Sequence, residues 1–210
     1  MGFEGEGNID IHSPVVEHQA PAPRITEIPP NVKIKGFSSK QDTLFVRRAI
    51  ESTGLPVENI SKIKFVGALT DSYASVNTET NEMSFHLSFE RLPRAAQFRV
   101  ITHELAHECE PDKQENIKLY GSEENMQKAL ENVKRVASQT RETHIFLDGT
   151  QKQNVESLEA GKIDERKFLK ETYAALIEHR YTKPKHLREV LERQNAETAD
   201  EILNQLDDTL

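Results

Sequence analysis

This sequence has little of what would direct a chain to a membrane, a nucleic acid or an oxidising compartment. It carries one cysteine, Cys109, in 210 residues, so no disulfide can close within the chain. That usage fits a reducing compartment, or export by a route that needs no signal peptide. No apolar run approaches the ~18 residues of a membrane span. No cluster of Lys and Arg forms a basic arm, and the net charge of −8 argues against a phosphate backbone as partner. The N-terminal "MGFEGEGNIDIHSP" is acidic and lacks the basic and apolar regions of a signal peptide. Its Met-Gly start would suit myristoylation only with Ser or Thr at position 6, where this chain has Glu6. The expectation is a cytoplasmic protein without nucleic-acid or membrane partners, the alternative being signal-peptide-independent export. The acidic tail 195–210 resembles the glutamate-rich C-terminal export signals of some bacterial effectors.

Apolar residues are also scarce, 36% against 30% charged, yet a chain of this length can bury a real core. Residues 1–36, centred on "QAPAPRITEIPPN", read as a flexible Pro-rich arm, because proline blocks helix and favours extended backbone. A globular pattern follows over 37–182. Leu44, Phe45, Ala49 and Ile50 at helical spacing predict a helix over Ser39–Ser52, with Ser38 or Ser39 as cap. Lys62–Leu69 reads as a strand. Ser72–Phe89 alternates twice around "TETNE", a β-hairpin whose second arm turns Met83, Phe85, Leu87 and Phe89 one way. Helices are predicted from Leu92 to Cys109 and over roughly 122–139, 151–160 and 164–181, with an extended piece at His144–Asp148. Residues 183–210 read as a C-terminal acidic amphipathic helix. The class is α+β: a small antiparallel-containing sheet on one key helix, then a helical C-terminal half.

That key helix carries "RVITHELAHECEP". Residues four apart on a helix lie one above the other, about 6 Å along the axis. His103 and His107 can therefore aim two imidazoles at one ion, roughly 2.0–2.1 Å from each nitrogen. Glu104 sits beside them, placed to act on a metal-held water without ligating the metal. The pattern alone is weak, since about one shuffled chain in thirty would contain it by chance. Its context strengthens it. Phe98, Ile101, Leu105 and Cys109 form an opposite stripe that anchors the helix and makes Cys109 a core thiol, while Ala96, Val100, His103 and His107 face a cleft.

A third ligand is best sought in "DERKFLKETYAALIEHRY". There Glu171 turns away from the apolar stripe of Leu169, Tyr173 and Leu176, and Ala174 and Ala175 allow close helix approach. Glu178, Asp148 and His144 remain alternatives. His86, on the polar face of its strand, reads as a surface histidine.

"HELAH" on a helix resembles the zincin metallopeptidases. The upstream hairpin and the later "ETYA" (Glu171–Ala174) look like the gluzincin branch, over roughly residues 39–182. The metzincin pattern needs Gly at 110 and His at 113, where this chain has Glu110 and Lys113. Asp112 fits an aspartate-ligand zincin poorly in register. The gap from His107 to Glu171 is long for a minimal gluzincin, and the chain around Glu171 lacks the full thermolysin-like signature. The resemblance implies a zinc-dependent endopeptidase with one Zn2+ per chain on His103, His107 and Glu171. Glu104 would be general base to a metal-activated water, and Tyr181, His179 or His144 would be the oxyanion donor. It also implies a protein or peptide substrate bound as an extended strand against Ser72–Asn77, with toxin- or effector-type proteases among the possible classes. The competing expectation is a non-catalytic helical interaction module in which the motif is incidental; a purely structural zinc site would need more cysteine.

Overall fold

A computed structural model of the chain describes residues 28–29, 32–55, 57, 60–67, 72–77 and 80–209. The fold is α+β, a four-stranded mixed sheet and a larger helical part. The strands are β1 (Lys33–Lys35), β2 (Lys62–Val66), β3 (Ala74–Asn77) and β4 (Glu82–His86), arranged in the order β1-β2-β4-β3. β1, β2 and β4 run parallel, and β3 returns antiparallel at the edge. Ile63, Met83, Phe85 and Ala74 face the core, while Lys62, Lys64 and Glu82 pair on the opposite face. Helix α1 (Lys40–Thr53) crosses between β1 and β2; the Ser39 hydroxyl caps it by accepting the Asp42 amide proton at 3.0 Å.

The stretch 1–36, expected to be a flexible arm, contains a strand near its end. Residues 1–27 lie outside the described residues, but Ile28 and Val32 are buried in the core and Lys33–Lys35 pair with β2. Here the prolines bound a strand rather than exclude one. Gly36 follows with φ of +87°, and a Cβ there would meet the Phe65 carbonyl oxygen at 2.8 Å, so only glycine fits.

The hairpin forms as expected, but its second arm stops at His86. Leu87–Glu90 turns into a short helix, α2, so Phe89 reaches the core from a helix and stacks on Phe85 at 4.4 Å. The key helix α3 (Arg94–Ala106) begins after Pro93 and tightens into a 3₁₀ turn at His107–Cys109. Its start is fastened to α1: Arg94 pairs with Asp42 at 2.6 Å and lies 4.3 Å over the Phe45 ring. Ile101, Leu105 and Cys109 are fully buried, as the apolar stripe requires.

After a second 3₁₀ turn (114–116) come α4 (Ile117–Tyr120), α5 (Glu123–Thr143), α6 (Gly149–Glu159), α7 (Glu165–Thr182) and α8 (Pro184–Thr209). The extended piece expected at His144–Asp148 joins no strand; it is the irregular link from α5 to α6. α7 is the central helix, packed by α3, α5, α6 and α8. Every residue from Thr172 to Arg180 is buried, so its single expected stripe widens to the full circumference over two turns. α8 breaks at Asn195, whose side chain accepts the Glu197 amide proton at 3.0 Å and restarts the helix. Leu187, Leu191, Ile202 and Leu206 of α8 are buried in the same core as the sheet.

Candidate metal centre

α3 presents His103 and His107 one turn apart, with ring centroids 5.1 Å apart and planes nearly perpendicular. The packing of α7 on α3 brings Glu171 to them, so that one ligand atom from each of the three lies within 4.8 Å of the others. His103 Nε2 is 3.3 Å from Glu171 Oε2. Two atoms bound tetrahedrally to one zinc at about 2.0–2.1 Å are themselves roughly 3.4 Å apart. The three residues form a group that could hold a metal ion, and the His103–Glu171 separation matches that of two zinc ligands.

The outer partners fit as well. His103 Nδ1 lies 3.4 Å from Glu178 Oε2, and His107 Nδ1 lies 2.8 Å from Glu110 Oε1. A carboxylate on Nδ1 holds the proton there and leaves Nε2 as the lone-pair donor, which is the tautomer a metal needs. Glu110 is buried and also pairs with Lys170 at 2.8 Å. Burial works to lower the His103 pKa, but the Glu171 and Glu178 carboxylates outweigh it and push it up to about 10. Burial likewise raises Glu171 and Glu178, yet His103 holds both below the usual carboxylate range, aided at Glu178 by Arg99.

Glu104 lies beside this centre at the wall of a cleft of about 690 Å³. Burial raises its pKa above that of an ordinary glutamate, with His107 and His103 pulling the other way and the Val76 amide donating to it. The cleft is lined by Tyr73 and Ala74 at the start of β3, by Gln153 and Asn154 of α6, and by Ala96 and Val100 of α3.

The other sequence candidates go elsewhere. Asp148 caps α6, and its Oδ2 accepts from Arg99 at 3.1 Å. Glu178 accepts from Arg99 Nε at 2.6 Å and serves His103 from behind. His144 ends α5 in the left-handed region, against Phe146. Asp112 pairs with Arg166. Of the three proposed oxyanion donors, His179 is fully buried, and neither Tyr181 nor His144 lines the cleft. His86 joins no metal-ligating cluster among the described residues.

Sequence reasoning missed Arg99, Glu110 and the role of Glu178. The His107–Glu110 pair had a local signal, an i,i+3 spacing at the helix end. Arg99 and Glu178 had none, because they lie on different helices. Comparisons with protein-family models, with curated proteins and with solved structures find no match.

Proposed function

We propose that the chain is a zinc-dependent peptidase of zincin-like, gluzincin type that hydrolyses peptide bonds in an extended segment. The observation that carries this reading is the meeting of His103, His107 and Glu171 within 4.8 Å, beside Glu104 and an open cleft. Three protein ligands leave a fourth position for water or substrate, the mark of a catalytic rather than a structural site. When bound, zinc supplies Lewis acidity and brings the pKa of a bound water to about 7.

The residues divide the remaining work. Glu110 and Glu178 hold the imidazoles of His107 and His103 in one orientation and tautomer. Glu104, with its basicity raised by burial, takes the proton of the attacking water and delivers it to the leaving amine. β3, at the sheet edge beside the cleft, offers main-chain groups to an extended chain.

The test is metal content of the purified protein by elemental mass spectrometry, followed by peptide hydrolysis. The expected result is about one zinc per chain, with turnover lost and zinc retained in Glu104→Gln. Absence of zinc after incubation with the ion, or equal turnover by Glu104→Gln, refutes the reading.

A further inference from the structure

We infer that Lys167 makes the cleft selective for a peptide that places a carboxylate, from an acidic side chain or from its own C-terminus, close to the scissile bond. The inference rests on the peptidase reading and adds the chemistry of the substrate.

The helices fix where Lys167 stands. Arg99 of α3 meets Glu178 of α7, His103 meets Glu171, and Glu110, just past α3, meets Lys170. Higher numbers along α3 thus meet lower numbers along α7, so the two helices run antiparallel. Lys167, Glu171, Ala175 and Glu178 all line the cleft, spaced by four, four and three residues along one face of α7. Four helical residues advance about 6 Å. The candidate metal centre therefore has Glu178 and Arg99 on one side and Lys167 on the other, one turn from Glu171.

The two ends of this row differ in charge. Arg99 is held between Glu178 at 2.6 Å and Asp148 at 3.1 Å, so its charge is answered. Lys167 is exposed and joins no ion pair among the described residues. The other cations of α7 do: Arg166 pairs with Asp112, Lys170 with Glu110 and Arg180 with Asp207. Nor does Lys167 serve its own helix. It stands in the first turn of α7, just after the Asp164 cap, where a cation opposes the helix dipole. Its charge does reach Glu171, which it helps to keep ionised. With Glu171 committed to a metal, the ammonium is left facing a divalent cation. Two like charges at one edge of a cleft attract an anion, and the bound peptide is the group that can bring one.

Two readouts test this. In the first, the wild type digests a mixed pool of peptides and the cut bonds are read by mass spectrometry. Cuts enriched about fivefold in Asp or Glu at one position beside the bond support a side-chain carboxylate; cuts concentrated at the peptide C-terminus support the terminal one. Lys167→Gln should lose the selectivity, Lys167→Arg should keep it, and Lys167→Glu should turn it towards Lys and Arg. Removing a cation does not weaken a neighbouring metal, so the variants should all retain zinc. The second readout is binding of short peptides to zinc-loaded Glu104→Gln protein by fluorescence anisotropy. The peptides are an amidated Glu form, its Gln twin, and the Gln twin with a free C-terminus. A carboxylate should tighten binding about fivefold, and by less as salt is raised.

Selectivity that survives in Lys167→Gln overturns the inference, because the metal alone then attracts the carboxylate. Carboxylate-dependent binding without cleavage supports the role of Lys167 and overturns the peptidase reading. Cleavage without carboxylate selectivity overturns the role of Lys167 alone, and neither binding nor cleavage overturns both.

Discussion

Two clusters of histidine and carboxylate lie against α7, and by composition either could hold a metal. His103, His107 and Glu171 form one; Asp148, Glu178 and His179 form the other, each with ligand atoms within 4.8 Å. They differ in what already fills them. In the second, the Arg99 guanidinium bridges Asp148 and Glu178, and His179 Nδ1 is 3.0 Å from the Ala175 carbonyl oxygen. A fixed cation stands where an ion would go. In the first cluster both histidines are braced from outside by carboxylates on Nδ1, and the inner nitrogen of His103 faces Glu171 rather than a fixed cation. The comparison teaches that proximity of donors does not make a metal site; the outer partners decide whether the donors are available. Glu178 links the two clusters, accepting from Arg99 with one oxygen and facing His103 with the other.

The comparison breaks most sharply on the histidines themselves. His103→Ala should reduce zinc from about one per chain to none, while His179→Ala keeps its zinc; elemental mass spectrometry reads both. Loss of zinc in His179→Ala and not in His103→Ala would reverse the assignment of the two clusters. Next in size is the shared carboxylate. Glu178→Gln should weaken zinc about 10–100-fold by competition with a chromogenic chelator, and unchanged affinity would remove Glu178 from the site.

A smaller effect separates ion pair from metal site in the second cluster. Arg99→Leu leaves two carboxylates without their cation, one of them buried. About a third of the arginine side chain meets water, so a loss of about 1–2 kcal/mol in urea unfolding is expected. A gain of a second zinc with no loss of stability would count against the ion-pair reading.

The mildest test is pH. In protein stripped of metal, His103 keeps its proton up to about pH 10, against about 6.5 in an unfolded chain. Its stabilising contribution is therefore complete below about pH 6.5 and disappears as pH rises to about 10. Zinc must displace the same proton, so its affinity should rise with pH across that window. Calorimetry in buffers of different ionisation enthalpy should show a proton released per zinc bound at pH 7, and none released would contradict the pairing of His103 with Glu171 and Glu178.

Much of the framework was readable in the chain. The helix capped by Ser39, the hairpin, and the α3 stripe of Ile101, Leu105 and Cys109 follow from spacing and capping, which are local rules. Three readings went astray where tertiary contacts outweighed local pattern. The prolines near Val32 masked a strand that exists because β2 offers it a parallel edge. The alternation at Leu87 and Phe89 continued into a helix, because only the turn at Leu87 brings Phe89 back onto Phe85, four residues earlier. The single apolar stripe read on α7 widens to enclose Glu178, His179 and Arg180, whose polar groups meet Arg99, the Ala175 carbonyl and Asp207.

By itself the sequence determined that His103, Glu104 and His107 share one side of a helix, since 3.6 residues per turn places i and i+4 together whatever surrounds them. It also determined the α+β class and the anchoring of that helix by its apolar stripe. Only the tertiary structure decided which of many glutamates meets the two histidines and which lie behind them. Those choices depend on how α7 slides and rotates against α3. That register is set by packing residues such as Ala174, Ala175 and Leu176 into the shared core, a non-local property that no spacing within either helix encodes.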